Sequence, residues 1–194
     1  IINAEYKEYI IDDYEMYYTP FLAAALNNNI NIIKLLIDRQ EIDINTKAIR
    51  IEKQEDYDEI NALRIAIFNY NNDLAQILLN HKKINVNSKI VVRKVINNCF
   101  FDEIVPVFSI AISYRDPNMV NLFLQHSKIE VNEKYQYFLN YTDYEAYQTV
   151  DITPLIQSCK LNEIEMVKLI LSHPNLDINS ISTIINKDLW TLNG

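Results

Sequence analysis

The chain has 194 residues, of which 49% are hydrophobic and 23% charged, a composition typical of one large domain or a modular array. Its formal net charge of -8 repels phosphate backbones, which argues against nucleic acid as a partner and favours basic protein surfaces. No apolar run is long enough to span a bilayer, and the single glycine, Gly194, leaves no glycine-rich phosphate-binding loop. The two cysteines, Cys99 and Cys159, do not form a disulfide framework, so we expect reduced thiols in an intracellular, cytoplasmic protein.

One stretch recurs four times along the chain. Its first copy reads TPFLAAALNNNINIIKLLIDRQEIDIN, with two apolar patches, a polar turn between them and a closing pattern of apolar, polar, apolar and Asn. Spacings of three and four residues within each patch place the apolar side chains on one face of a helix. We therefore predict a pair of short helices in every copy. The copies span 19–45, 61–87, 106–132 and 153–179.

The first helix of each copy begins with a recognisable signal. Thr19-Pro20 and Thr153-Pro154 fit an N-cap followed by the first helical position, where proline lacks the amide that has no partner anyway. Asn61 fits the same N-cap role, whereas Pro106 offers no capping side chain. We therefore predict side-chain caps in three of the four copies.

The turn between the two helices contains Asn or Asp in every copy. These residues cap helices well, and Asn tolerates the left-handed backbone conformation that glycine usually supplies. We therefore expect asparagine to replace the missing turn glycine. The turn residues are Asn28-Asn29, Asn71, Asp116-Pro117 and Asn162.

This pattern resembles the ankyrin repeat, whose signature runs TPLHxAA, a turn with Gly, xEIVKLLL and a closing DVN. Here it appears as TPFLAAA…NIIKLLI…IDIN and as TPLIQSC…IEMVKLI…LDIN, without the motif histidine and the turn glycine. The resemblance implies an all-α fold, an α-solenoid of stacked helix–turn–helix repeats with long finger loops or hairpins between them.

The segments between the copies correspond to the fingers of that family, and they lengthen the period beyond the roughly 33 residues of an ankyrin repeat. The β-branched residues of 89–95 favour a strand, whereas 53–60 is expected to be a solvated loop. The other fingers fit hairpins, helical turns or loops equally well. Because 1–3 matches the tail of an earlier copy, we expect 1–194 to be a single array cut from a longer one. The fingers are 4–18, 46–60, 88–105, 133–152 and 180–194.

Three histidines, His81, His126 and His173, occupy the same position in three copies. Stacked helix pairs lie about 10 Å apart, whereas zinc needs all its ligands within about 2.3 Å of one ion. We therefore interpret them as side chains that bond the last carbonyls of the second helix, and we predict neither a metal site nor a cofactor.

No catalytic constellation stands out. Cys159 falls at a helix position whose counterparts are apolar, so we interpret it as a core thiol without an adjacent base. Carboxylate pairs such as Asp12-Asp13 and Glu55-Asp56 fall in expected loops, without an apolar pocket to separate their pKa values. We therefore expect no enzyme within these residues.

Function is best predicted from the resemblance, which implies protein binding along a concave face of fingers and first helices. Tyrosines are dense in 5–18 and 133–151, where they suit a binding surface and packing between fingers equally well. We expect a monomeric scaffold or adaptor that binds a protein or peptide, basic or mixed in charge, through this face and the finger tips. The alternative is a non-catalytic spacer or targeting region of a longer protein whose enzyme domain lies elsewhere.

The candidate partner-binding residues fall in two groups. On the first helices and their ends they are Leu26, Asn27, Phe68, Asn69, Ser113, Tyr114, Lys160 and Leu161. On the fingers they are Tyr57, Tyr135, Tyr137, Tyr141, Tyr144 and Tyr147.

Overall fold

The computed structural model describes residues 6–10, 14–51, 57–96, 99–142 and 146–188, in which pairs of short helices alternate with β-strands. Each helix has seven or eight residues, too few to persist in water without packing partners. The pairs are α1 (Pro20–Leu26) with α2 (Ile30–Ile37), α3 (Ala62–Phe68) with α4 (Asn72–Leu79), α5 (Val107–Ser113) with α6 (Pro117–Leu124), and α7 (Pro154–Lys160) with α8 (Ile164–Leu171).

The predicted helix starts are confirmed. The Thr19 hydroxyl accepts a hydrogen bond from the backbone N–H of Leu22 at 3.4 Å, and Thr153 does the same for the fourth copy. The Asn61 side chain accepts from the N–H of Arg64 at 2.8 Å. Pro106 makes no side-chain cap, so α5 begins without this stabilisation.

The turn between paired helices needs one residue with positive φ in each copy. The prediction that asparagine fills this place holds for two copies and is wrong for the other two, where Tyr70 and Arg115 take it. The reason is that Asn71 and Asp116 are needed one residue later, as the N-caps of α4 and α6. The positive-φ residues are Asn28 (51°), Tyr70 (50°), Arg115 (56°) and Asn162 (57°).

The fingers form two antiparallel sheets, so the expected all-α class is wrong and the solenoid is mixed in secondary structure. The six-stranded sheet has its strands in chain order, and the second sheet has three. The six-stranded sheet contains β1 (Tyr6–Ile10), β2 (Tyr14–Tyr18), β3 (Lys47–Ile51), β4 (Tyr57–Asn61), β5 (Lys89–Ile96) and β6 (Cys99–Pro106). The three-stranded sheet contains β7 (Tyr135–Thr142), β8 (Ala146–Ile152) and β9 (Thr183–Asp188).

The strand predicted at 89–95 is confirmed as part of β5, whereas the loop predicted at 53–60 is wrong for 57–60, which lie in β4. Residues 53–56 lie outside the described residues. The charges that suggested a loop pair across the strands instead: Arg50 faces Asp58 in the β3–β4 ladder, and their side chains form an ion pair at 3.0 Å. Opposite charges at facing positions stabilise a strand pair.

A continuous apolar core runs along the helix stack, from Met16 of the first finger to Ile170 of α8. Small residues at one repeat position, such as Ala66 and Ser158, are fully buried and allow neighbouring helices to approach closely. Because each pair packs against the next, the stability of one copy depends on its neighbours. Of the helices described, none is long and apolar enough to cross a bilayer.

The Asn that closes a copy joins that copy to the next one. Asn45 donates from Nδ2 to the Lys83 carbonyl at 2.8 Å, and its Oδ1 accepts from the Asn85 N–H at 2.7 Å. Asn87 and Asn132 make the equivalent two bonds with the following copy. Each bridge fixes the distance between successive loops at the end of the second helices.

The three histidines act as acceptors, so the expectation that they bond helix carbonyls is wrong. In each case Nδ1 accepts the backbone N–H two residues later, for example the Lys128 N–H on His126 at 3.2 Å. Burial, followed by the nearby charge of Lys128, lowers the pKa of His126 below its usual value.

Cys159 is exposed, so its interpretation as a core thiol is wrong. The counterparts of Cys159 in the three earlier copies, Ala25, Ile67 and Ile112, are buried. The difference follows from position, since each of those copies is followed by another helix pair.

Candidate protein-binding surface

Three aromatic side chains meet where α3 and α5 end beside the fingers. The ring centroids of Phe68 and Tyr114 are 5.2 Å apart, and those of Tyr70 and Tyr114 are 5.9 Å apart. Phe68 and Tyr70 remain exposed, and Phe68 keeps 46% of its surface accessible. We call these three residues the aromatic cluster.

Arg64 packs against the Phe68 ring of the aromatic cluster. Its guanidinium carbon lies 5.7 Å from the Phe68 ring centroid, and its Nη2 is 2.8 Å from Oδ2 of Asp58 on β4. Nη1 also donates to the Glu59 carbonyl. The side chain is buried, and these contacts on the finger and on the ring hold Phe68 in one place.

A shallow groove of about 140 Å³ lies next to the cluster, between the first two described fingers and helices α1 and α3. A cavity of about 150 Å³ accommodates a benzene ring, so the groove has room for one side chain of a partner. The residues that line it are Met16, Leu26, Arg50, Ile60, Arg64, Ile65, Phe68 and Asn69.

Two guanidinium groups in the groove share one carboxylate. Asp58 Oδ2 accepts from both Arg50 and Arg64, at 3.0 and 2.8 Å. The shared carboxylate fixes both guanidinium groups at the edge of the groove. At the cluster, burial raises the pKa of Tyr114 above its usual value, against the opposing charge of Arg64, so the phenol stays protonated and able to donate.

The positions predicted at the ends of the first helices differ in exposure. Asn27, Asn69, Ser113 and Lys160 are exposed, whereas Leu26 and Leu161 pack partly against the core. The Asn69 amide bonds Asn28 Oδ1 at 3.1 Å and the Ser113 hydroxyl accepts from Gln157 at 2.8 Å, so these two also connect neighbouring copies.

Tyr57 lies where the second and third described fingers join. The β4–β5 ladder consists of the pairs Tyr57–Arg93 and Asp58–Val92. The Arg93 guanidinium carbon is 4.4 Å from the Tyr57 ring centroid, and Asp102 holds the same guanidinium at 2.6 Å. Tyr57 is half-buried and helps to pack the β3–β4 hairpin against the β5–β6 hairpin.

The tyrosines predicted on the fourth finger are only partly described. Tyr135 is buried against Val150 and Ile152, which leaves little of its ring for a partner. The backbones of Tyr137, Tyr141 and Tyr147 lie in β7 and β8, and Tyr144 lies outside the described residues.

Sequence reasoning did not select Arg64 and Tyr70, which complete the surface. Tyr70 lies beside Asn71 in the turn, which contains a glycine in the ankyrin signature. Arg64 lies at the position of the histidine in that signature. The available signal was an arginine at a position that holds Leu22, Ser109 and Ile156 in the other copies. Among the residues that the structure describes, no group of three or more His, Cys, Asp and Glu is close enough to hold a metal ion.

The stacked helix pairs, the finger hairpins and the aromatic surface together define a repeat protein of the solenoid class. Residues 4–90 match the family model for ankyrin repeats (3 copies). Residues 4–90 therefore contain ankyrin repeats, a family whose members are generally protein–protein interaction modules and typically have no catalytic activity. No curated protein matches the chain.

Proposed function

We propose that residues 1–194 form a single ankyrin array that serves as a non-catalytic, monomeric scaffold or adaptor, and that it binds its partner through the surface between the fingers and the first helices. The observation that carries this proposal is the aromatic cluster, in which Phe68 is exposed yet held in place by Arg64 and Tyr114. Fixed, exposed aromatic rings are typical centres of protein interfaces.

The neighbouring candidates supply the rest of the interface. Asn27, Asn69 and Lys160 are exposed polar groups for the rim, and the groove beside Phe68 receives one partner side chain. Because the surface is built on helices and hairpins, little ordering entropy is lost when a partner binds.

The charges favour a partner with mixed charge. The net charge of -8 attracts basic proteins at long range, so association should slow as salt rises. At the groove, Arg50 and Arg64 instead favour an acidic or neutral side chain next to Phe68.

The proposal also extends to the compartment. Cys159 is a free, exposed thiol, and such a thiol persists in a reducing environment. We infer an intracellular, cytoplasmic protein. Alkylation of thiols before cell lysis should trap Cys159 in its reduced form, whereas an oxidised thiol in the natural host would contradict the assignment.

The test is selection of binders from a displayed peptide library, followed by affinity measurement against three proteins: wild type, Phe68→Ala and Leu35→Ala. Phe68→Ala should weaken binding at least tenfold, because it removes the centre of the interface. Leu35→Ala is the matched control, since Leu35 is an exposed apolar residue of α2 outside this surface.

The association rate should also fall as the salt concentration rises from about 50 to about 500 mM. Binders that tolerate Phe68→Ala and lose affinity with Leu35→Ala would place the interface elsewhere and refute the proposal. Failure to select any binder from peptide and protein libraries would count against the scaffold role itself.

A further inference from the structure

A second groove lies between the C-terminal ends of α2 and α4, and none of its lining residues belongs to the aromatic cluster or lines the groove beside Phe68. Its volume is about 430 Å³, which falls within the range of about 300–1,000 Å³ for ligand sites. Three cationic side chains meet there with one carboxylate, that of Asp38. We call Arg39, Gln40, Lys82 and Lys83 the basic groove.

The cations of the basic groove have no acidic partner within the part of the chain that the structure describes. The ion pairs of that part use other basic residues, and Arg39, Lys82 and Lys83 belong to none of them. All three side chains are exposed. The next acids along the chain, Glu41 and Asp43, do not line the groove. A chain with 26 acidic and 18 basic residues therefore gathers three unpaired cations in one place.

The corresponding place one copy later has no such charge. A groove of about 290 Å³ lies between the ends of α4 and α6, where Asn80 and Ser127 take the repeat positions of Asp38 and Lys82. No Lys, Arg, Asp or Glu is among the described residues that line it. The repeat fold therefore does not require cations here, and stabilisation of a helix end by positive charge does not account for Lys82.

Hydrogen bonds between the first and second copies hold the basic groove in shape. Lys83 Nζ donates to the Gln40 carbonyl at 3.3 Å, and Asn45 Nδ2 donates to the Lys83 carbonyl at 2.8 Å. Asn45 Oδ1 also accepts the Asn85 N–H at 2.7 Å. Because the backbone that carries the cations is fixed in advance, little ordering entropy is lost when a ligand binds.

We infer that the basic groove binds an acidic segment of a partner protein, whose carboxylates pair with Arg39 and Lys82. A guanidinium binds a carboxylate through two parallel hydrogen bonds, and a lysine ammonium adds a flexible point charge. The described lining has no Phe, Tyr or Trp ring on which a nucleotide base could stack, and the net charge of -8 repels a phosphate backbone. This surface differs from that of the proposed function, and the inference does not depend on it.

The test measures binding of a fluorescently labelled peptide, four glutamates flanked by glycines, to the whole chain by anisotropy at about 50 mM salt and about pH 8. Lys82→Ser should weaken binding at least about fivefold, and Arg39→His combined with Lys82→Ser at least about twentyfold, because each change removes a cation. The fold accepts both replacements, since other copies carry them at the same repeat positions as Ser127 and His81.

Lys128→Asn is the matched control. Lys128 is an exposed lysine without an ion pair in the described structure, and it lies at the repeat position of Lys83, where the fourth copy has Asn175. This variant should bind the peptide as wild type does. Phe68→Ala should do the same, because it changes only the other surface. Lys82→Ser should leave Tm within about 1 °C of wild type.

Four results would overturn the inference. The first is no saturable binding of the glutamate peptide to wild type. The second is equal weakening by Lys82→Ser and Lys128→Asn, which would indicate diffuse attraction between charges. The third is a Tm lowered by several degrees in Lys82→Ser with unchanged peptide affinity, which would assign the lysine to helix stability. The fourth is displacement of the peptide by inorganic phosphate at concentrations below the Kd of the peptide, which would make phosphate the ligand.

Discussion

At the scale of single residues, the turns between paired helices carry backbone strain. Asn28 and Asn162 adopt positive φ at small cost, but Tyr70 and Arg115 are not suited to it. A side chain with a Cβ in this region costs roughly 1–2 kcal/mol. The strain persists because the capping residue that follows leaves no other position for the turn.

Arg115→Gly should therefore stabilise the array by about 0.5–1 kcal/mol. The substitution relieves the backbone strain, and the greater conformational entropy of glycine in the unfolded chain offsets part of that gain. The lost ion pair with Glu163 is exposed and contributes little. Denaturant unfolding measures the change. The control is Gln125→Gly, at a right-handed helix end, which should destabilise. If the free energy of unfolding falls equally in the two variants, Arg115 is not strained by its positive φ.

His126 makes the stability sensitive to acid. Its pKa is lowered in the folded protein, so the unfolded chain binds the proton more readily and the free energy of unfolding falls as pH drops below 6.5. His126→Asn keeps an acceptor for the Lys128 N–H but does not titrate. Between about pH 7.5 and about pH 5, the variant should lose less Tm than wild type. Identical losses would exclude this role.

At the scale of elements, the Asn bridges should contribute to each junction between copies. Asn87→Ala removes two hydrogen bonds, to the Lys128 carbonyl and the Glu130 N–H, and should cost about 1–3 kcal/mol. Asn179→Ala is the control at the same repeat position and should change the free energy of unfolding by less than about 0.5 kcal/mol. If the two variants unfold alike, the bridges do not stabilise the stack.

The helices and their starts were predictable because their signals are local. An apolar residue every three or four positions and a capping side chain three residues ahead need no knowledge of the rest of the chain. The strands other than β5 were not predictable from the sequence, because a charged finger segment such as 57–61 becomes a strand only by pairing with another segment of the chain. Arg50 and Asp58 show this, since neither indicates a strand before the other is placed opposite.

At the scale of the whole molecule, each helix pair is stabilised by the pairs on either side. The second helix α6 packs between α4 and α8, whereas α8 packs against α6 on one side only. Leu171 at the end of α8 and Ile178 in the segment that follows it are exposed. Local opening should therefore be easiest at this end of the array.

Native-state hydrogen exchange should show this gradient. The amides of α6 should exchange more slowly than those of α8, although both helices have eight residues and similar apolar content. The comparison is internal to one sample and needs no variant. Exchange in α8 as slow as in α6 would mean that packing between neighbouring helix pairs does not set the stability of this end of the array.

The candidate surface was predictable in part. Phe68 and Tyr114 follow from repeat position, because the ends of first helices recur at a fixed place in the pattern. Arg64, Tyr70 and the groove required the structure, since Phe68 becomes an anchor through Tyr114 at the end of α5 and through Arg64, which is paired with Asp58 of the neighbouring strand. Tyr135 shows the reverse case: a ring that suits an interface by type is buried by its own sheet.

The sequence by itself determined the repeat, the paired helices, the caps of the first helices and the resemblance to ankyrin repeats, because each depends on residues within one turn or one period. The tertiary structure decided which fingers pair as sheets, which residue in each turn bears positive φ and which apolar positions are buried. Ile44 and Ile178 have the same surroundings in sequence and opposite exposure. Burial depends on whether another helix pair lies against the position, and that neighbour is distant along the chain.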